Sequence, residues 1–458
     1  MTSSSRLSSV KKKILLVHPW IYDFAAYDFW ITPLGLLYIA GVLRENGFDV
    51  NLIDCLDPYH PDIANEPLVR PPSRKPFGQG KFARERISKP ECLNDIPRSY
   101  HRYGITPRLF IEDVKKCDQP DLIMVTSMMT YWYPGVFEAI RLLSRVLPET
   151  PVLLGGQYAT LCRDHAVSHS GATEVIAGEG ENILPDLIKK YLNVDIEIVP
   201  DPDDLDSYPY PALDLLRCIN HIPILTSRGC PFHCTYCASG HLHKGFRRRN
   251  PLKVADEISY WFRTAGARDF VLYDDAFLVN PSEMAVPLLE ELIRRSLNCR
   301  FHCPNGLHLS AVDDRIARLL FKAGFVTIRF GFESSNPATQ KMTGGKTSSS
   351  DLVRAVRSLK RAGYNDSDIG VYLLCGLPGQ QVSEIRDSIE FVKSCGARPI
   401  LAEFSPIPGT DLWERSCRTC IYPIGDEPLF QNNTLLPCRS SDLTLDAYRA
   451  MKKLARNI

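Results

Sequence analysis

Three cysteines dominate the chemistry of this sequence. They lie in Ser227-Arg-Gly-Cys230-Pro-Phe-His-Cys234-Thr-Tyr-Cys237, directly after an apolar run that reads as a strand. Thiolates this close together on one loop can wrap a corner of a metal cluster. A cubane has four irons, so three cysteines leave one iron without a protein ligand, whereas electron-transfer clusters normally take four cysteines. An open coordination position is what a metal site needs to act on a bound molecule. Zinc would want a fourth ligand, which His233, His241 or His243 is near enough to supply; the motifs further along weigh against it.

Of the 15 cysteines, Cys55, Cys162, Cys299, Cys375 and Cys395 stand singly among apolar residues and read as small buried hydrophobes. Cys417, Cys420 and Cys438 read as loosely placed thiols, with a second cluster or a zinc site as the alternative. Gly344-Gly345-Lys346-Thr347 lacks the first glycine of a phosphate loop, and that reading is rejected. Arg247-Arg248-Arg249 reads as a solvated or substrate-phosphate patch. Net charge is +1, so nothing global draws the chain to nucleic acid or membrane. The apolar stretch Leu34 to Leu43 is far short of a transmembrane span. The start is Ser-rich and then basic, with no secretory h-region, which reads as a frayed tail and a cytoplasmic protein.

The elements that position the cysteines are legible as an alternation. Apolar runs at Lys13–Val17, Asp49–Ile53, Asp121–Thr126, Pro151–Gly155 and Thr173–Ala177 read as strands, with helices at Pro33–Asn46 and Val136–Val146 between them. Strands separated by helices give a parallel sheet covered on both faces. Residues 12–200 are therefore expected to form a doubly wound, flavodoxin-like (Rossmann-like) α/β domain with its ligand at the C-terminal strand ends. Within it, 56–115 is a proline-rich insertion with enough aromatics to be ordered, read as a lid over the site.

The acidic, proline-rich stretch at 201–215 reads as a linker. Alternation resumes with strands at Ile222–Thr226, Asp269–Tyr273, Arg300–Pro304, Thr327–Phe332, Asp368–Leu374 and Pro399–Phe404. Six strands with right-handed crossovers make 216–415 a partial (β/α)6 TIM-type barrel, with its chemistry at the C-terminal ends. A short tail, 416–458, ends in a helix at Leu443–Ala455.

The C-x3-C-x2-C spacing, with Tyr236 before the last cysteine, resembles the signature of the radical-SAM superfamily. Four further segments resemble that family's motifs in order: Phe270 to Phe277 around Asp274-Asp275, Arg329 to Ser334 around Glu333, Leu374 to Gly379, and Phe404 to Thr410. The resemblance implies that Cys230, Cys234 and Cys237 hold a 4Fe–4S cluster. It also implies that the open iron chelates S-adenosylmethionine (SAM) and that one-electron reduction releases a 5′-deoxyadenosyl radical. Asp274 or Asp275 suits the SAM ammonium, and Glu333 suits the ammonium or a ribose hydroxyl. Tyr236 and the apolar segment around Ile407 suit the adenine. No catalytic residue is assigned.

A doubly wound domain ahead of such a barrel resembles the cobalamin-binding domain of one branch of the family. Ser127 after the third strand, Gly155-Gly156 after the fourth, and Gly178-Glu-Gly-Glu181 match its pattern of small residues. The D-x-H-x-x-G motif is absent, and neither His18 nor His60 has an Asp partner in sequence. Cobalamin is therefore expected base-off, with no protein histidine on the cobalt. The implied function is a cobalamin-dependent methyltransferase acting on an unactivated centre. The alternatives are a cobalamin-binding cyclase, rearrangement or redox enzyme without methyl transfer, and a non-catalytic cobalamin or redox sensor. A small-molecule or lipid-like substrate and an external low-potential electron donor are implied as partners.

Overall fold

The computed structural model describes residues 11–456, so most of the Ser-rich start lies outside the described residues. The front sheet contains β1 (Lys13–His18), β2 (Asp49–Asp54), β3 (Leu122–Val125), β4 (Val152–Leu154) and β5 (Glu174–Val175). All pairs are parallel, in the order β5-β4-β3-β1-β2. Alternate residues of β1 enter two different cores: Leu15 and Val17 pack with Phe110 and Ile140, Ile14 and Leu16 with Leu36 and Ile188. Burial on both faces is why these strands read as unbroken apolar runs. The strand order reverses between β1 and β3, which opens a crevice at their C-terminal ends.

The insertion is ordered, but its tip does not close over the cysteines. Tyr100–Tyr103 pairs antiparallel with Ile21–Asp23 and with Arg84–Ile87. The buried side chains of Ile21, Tyr100 and Tyr103 hold those strands, and the prolines confine pairing to short pieces. The turn at Phe77 is seated at the opposite end of the barrel. Its ring centroid lies 5.2 Å from that of His302, and the Arg300 guanidinium sits 5.1 Å over it. Arg300 opens its barrel strand, so this contact is at the N-terminal end.

The barrel sheet holds β6 (Ile222–Ile224), β7 (Asp269–Leu272), β8 (Arg300–Leu307), β9 (Phe325–Glu333), β10 (Ile369–Cys375) and β11 (Arg398–Glu403). They are parallel neighbours in chain order, and β6 does not pair with β11, so the barrel is partial. Phe270, Ile328, Phe330, Ile369 and Val371 face the helices in one large core. The alternate positions, including Asp269, Arg329, Gly331, Tyr372 and Arg398, fall on the inner face.

Two readings of the sequence are corrected here. Cys420 and Cys438 are joined in a disulfide, which removes two of the three tail residues considered for a second metal site. Arg247 and Arg249 are not a solvated patch. Arg247 pairs with Glu179, and Arg249 is buried between Asp206 and Glu257. The 201–215 stretch is held by that Asp206 bridge and by the buried Tyr208. Among the described residues, no helix is long and apolar enough to cross a membrane.

Candidate functional site

Ser227–Arg228 pairs antiparallel with Arg247–Arg248, so the cysteines ride on the loop of a short hairpin just beyond β6. Two other loops strap it down. Thr235 Oγ1 donates to Met342 O at 2.9 Å, and Leu412 N donates to Thr235 O at 2.9 Å. Gly344 (φ +117°) packs so closely that a Cβ there would stand 3.1 Å from Cys234 Cα. The rejected phosphate loop is thus a wall of the cysteine site.

Cys230 and Cys234 are partly exposed and Cys237 is exposed, whereas Cys55, Cys299, Cys303 and Cys375 are buried. Cys162 and Cys395, read as buried hydrophobes, are partly exposed. Among the described residues no three His, Cys, Asp or Glu side chains converge on a single-ion geometry. Zinc gathers its ligands within about 2.0–2.3 Å of one centre, whereas a cubane takes each thiolate to a different iron. Three accessible thiols on one loop fit the corner of a cubane. His243, one of the candidate zinc ligands, is held by Glu179, with Nδ1 2.9 Å from its Oε1.

The predicted carboxylates separate into two kinds. Asp274 is buried, its Oδ1 accepting from Thr226 N and Oγ1 at 2.9 and 2.6 Å and from Ser227 Oγ at 2.8 Å. Burial pushes its pKa up to about 6 against those bonds. It anchors the base of the hairpin to β7, chiefly through Oδ1. Asp275 faces the cysteines: Ser239 Oγ donates to it at 2.7 Å, and Ser239 N approaches Cys237 Sγ at 3.5 Å.

Glu333 ends β9 in a left-handed conformation (φ +69°), a strained backbone for a residue with a side chain. Its Oε1 accepts from Tyr236 OH at 2.7 Å and pairs with Lys346 Nζ at 3.0 Å. Burial pulls the Lys346 ammonium down, but Glu333 and the Cys234 and Cys237 thiols outweigh it, and the pKa is raised. Lys346 was invisible as a site residue because only the fold brings it to the cysteines. The Tyr236 ring packs with Leu374, Leu377, Phe404 and Leu412. Ile407 lies in the next loop, partly buried, its carbonyl accepting from Thr410 Oγ1 at 2.8 Å.

At the front sheet, Ser127 Oγ donates to Gly155 O at 2.6 Å and accepts from Ala159 N at 3.2 Å, tying the ends of β3 and β4 together. Gly156 (φ +95°) lies so close to Ser127 that a Cβ would overlap its backbone. A Cβ on Gly155 would meet only Ile176 O at 4.0 Å, and one on Gly178 would meet nothing within that range. Open backbone beside a hydroxyl with a remaining lone pair fits the approach of a bulky ligand.

His18 corrects the sequence reading, because the fold gives it an acid partner: Nδ1 lies 2.8 Å from Asp54 Oδ1, across the β1–β2 register. His60 is likewise paired with Asp113. His18 is 1% exposed and its Nε2 is buried without a hydrogen-bond partner.

The two sites face one another. The helix Gln157–Leu161, which follows Gly155-Gly156, packs against the helix Ser239–Leu242, which follows Cys237. The turn after β5 grips the cysteine hairpin: Glu179 holds His243 and Arg247, and Glu181 pairs with Arg228 at 3.0 Å. Burial would raise the Glu179 pKa, but these partners bring it down to about 2. A polar cavity of about 470 Å³ opens elsewhere, between the end of β2 and residues 214–221, and none of the cysteine-site residues lines it.

Residues 224–392 match the model of the Radical SAM superfamily, and residues 102–188 that of the B12 binding domain. Cytidylyl-2-hydroxyethylphosphonate methyltransferase of Streptomyces wedmorensis is 22% identical over 475 residues, covering 90% of this chain and 82% of that protein. Anaerobic magnesium-protoporphyrin IX monomethyl ester cyclase of Cereibacter sphaeroides is 27% identical over 390 residues, covering 76% and 55%. The radical SAM methyltransferase TsrM from Kitasatospora setae, solved with tryptophan and a SAM analogue, superposes with a TM-score of 0.66 at 18% identity. That match covers 97% of this chain and 89% of TsrM, and it shows a shared fold.

Proposed function

The chain belongs to the radical-SAM superfamily and carries a B12-binding domain ahead of its radical-SAM domain, and from that premise we propose that it is a cobalamin-dependent methyltransferase acting on an unactivated carbon or phosphorus centre. Its cofactors are a 4Fe–4S cluster, SAM and cobalamin. Cys230, Cys234 and Cys237 would hold the cluster. Asp275 and Glu333 would take the SAM ammonium or ribose, with Tyr236 and the Ile407 segment against the adenine. Ser127, Gly155 and Gly156 would receive the cobalamin tail.

When bound, these groups supply a 5′-deoxyadenosyl radical on one side and a methyl group on the other. The chain's own work is positional. Lys346 and Tyr236 fix the Glu333 carboxylate, Asp274 fixes the hairpin, and the apolar wall around Leu374 and Phe404 keeps water from a reactive radical.

One observation carries the reading: the glycine turn of the front sheet and the cysteine hairpin of the barrel are packed and ion-paired to each other. A methyl donor and a radical must reach the same substrate atom, and facing strand ends provide that. The donor relative from Streptomyces is named for methyl transfer and the Cereibacter relative for ring closure, and product mass separates these outcomes. A gain of one methylene unit in the product, dependent on cobalamin, is the expected result. Deoxyadenosine formation with no methyl gain would move the chain to the cyclase or redox class, and no SAM cleavage at all would leave a sensor. The substrate is read as a small or lipid-like molecule, the electron donor as an external low-potential one, and the setting as the cytoplasm.

A further inference from the structure

We propose that Arg329 and Arg398 form an oxyanion-binding site on the inner wall of the barrel, which holds a carboxylate or phosphate-type group of the substrate. This rests on the reading that the substrate enters the barrel.

Arg329 on β9, Gly370 on β10 and Arg398 on β11 are in register across three neighbouring strands, all on the inner face. Strand spacing places the two arginine Cα atoms about 10 Å apart, and the glycine between them leaves the space. A Cβ at Gly370 would stand 2.6 Å from Arg329 Cδ and Nη1 and 2.8 Å from Ile400 Cδ1. The Arg329 side chain therefore lies across Gly370, towards the strand of Arg398.

Among the described residues neither guanidinium is ion-paired to a carboxylate, and Asp368 acts on Arg329 only through its charge. Arg329 Nη1 donates to the carbonyl of Ile328 at 2.9 Å, and Arg398 Nε is buried with no hydrogen-bond partner. Arginines around the cysteine hairpin are paired instead: Arg228 with Glu181, Arg247 with Glu179, Arg249 with Glu257. Burial and the charge of Arg398 pull the Arg329 pKa down to about 10. Asp368, whose charge acts on Arg329, accepts from Asn365 N at 2.9 Å. Tyr372, also on this face, gives its hydroxyl proton to Pro304 O at 2.8 Å and accepts from the Arg329 side chain, a neutral partner that leaves the charge unmatched.

Two like charges facing a shared space repel. A fold gains nothing from that arrangement unless something negative enters it. Guanidinium forks match the paired oxygens of carboxylate and phosphate alike. Arg329, Tyr372, Arg398 and Ile400 are all partly exposed, so the wall is reachable. The opposite wall has no such capacity, since Asp269 is consumed by Arg300 and His302, and Phe77 covers His302. Arg329 precedes Glu333 by four residues on the same strand, so an anion held there would sit about 13 Å below the cofactor mouth. That selects an elongated substrate with its anionic group remote from the methylated atom.

The test uses the cluster-reconstituted full chain, titrated anaerobically with inorganic phosphate and, separately, acetate. Saturable binding of at least one of them is expected, and their relative strength assigns the phosphate or the carboxylate source. Arg398→Gln and Arg329→Gln should each weaken that binding at least about tenfold, with Arg398→Lys falling in between. In anion-free buffer Arg398→Gln should melt no lower than the parent, because a repulsion is relieved. A purely structural arginine would give a lower melting point in the variant and unchanged anion affinity. No saturable binding in the parent, or an affinity unchanged from the parent in both glutamine variants, would overturn the site. SAM cleavage by the parent is measured alongside, so that failure of the radical-SAM reading is seen separately.

Discussion

The barrel mouth and the front-sheet ends solve the same problem, seating a large cofactor at strand termini, with opposite chemistries. The mouth is built from reactive and charged side chains: three accessible thiols, Asp275, Glu333, Tyr236 and Lys346. The front sheet presents a hydroxyl and open glycine backbone at Ser127, Gly155 and Gly156, and its carboxylates Glu179 and Glu181 are spent on ion pairs to the cysteine hairpin. A group held by covalent metal–thiolate bonds needs particular atoms. A group held by shape and many weak contacts needs space and a backbone that can be approached. Mutations should therefore act in steps at the mouth and by degrees at the front.

The largest effect is at the thiols. Replacing Cys230, Cys234 and Cys237 together by Ala should abolish the visible absorbance and EPR signal of the reconstituted cluster. A triple variant that keeps a full cluster would move the ligands elsewhere, against the pairing of Cys420 with Cys438.

Next come the carboxylates of the mouth. Glu333→Ala and Asp275→Ala should leave the cluster intact and weaken SAM binding by roughly ten- to a hundredfold, the worth of one charge-assisted hydrogen bond of about 1.5–3 kcal/mol. Asp274→Asn should act on hairpin stability instead, since its oxygens are spent on Thr226 and Ser227. Parent-like SAM affinity in Glu333→Ala and Asp275→Ala would erase the distinction drawn here.

At the front, Gly156→Ala should lower both melting temperature and bound cobalamin per chain without changing cluster content. The positive φ and the close approach to Ser127 together cost about 1–3 kcal/mol. Unchanged cobalamin loading would show that this turn does not meet the cofactor.

Glu179 joins the two regions and gives a pH signature. Its folded-state pKa of about 2 lies below the ordinary 4.5, so folding favours the carboxylate. The stabilisation is complete above about pH 4.5 and is lost as pH falls towards 2. Urea midpoints of the parent should fall through that window, and those of Glu179→Gln should fall less. Identical acid slopes would mean that the clamp contributes nothing.

The smallest effect concerns cobalt. His18 Nε2 is inaccessible to solvent and Nδ1 is held by Asp54, so no nitrogen superhyperfine splitting is expected in the Co(II) EPR spectrum. Splitting that disappears in His18→Ala would place this histidine on the metal and make the front site a side-chain site after all.

The sequence by itself determined the alternation of both sheets, the six barrel strands to within a few residues, and the cysteine loop. These are local: burial on both faces makes apolar runs, and ligands on one loop share one stretch of chain. Only the tertiary structure separated Asp274, buried and bonded to the β6 end, from its exposed neighbour Asp275. It alone brought Lys346 to the thiols, gave His18 the carboxylate of Asp54, and turned Arg247 and Glu179 into a clamp. Each of these is a pairing between residues far apart in sequence. Whether a polar side chain serves a ligand or the fold depends on which partner has already taken its hydrogen-bonding capacity, and that is decided when the strands and loops come together.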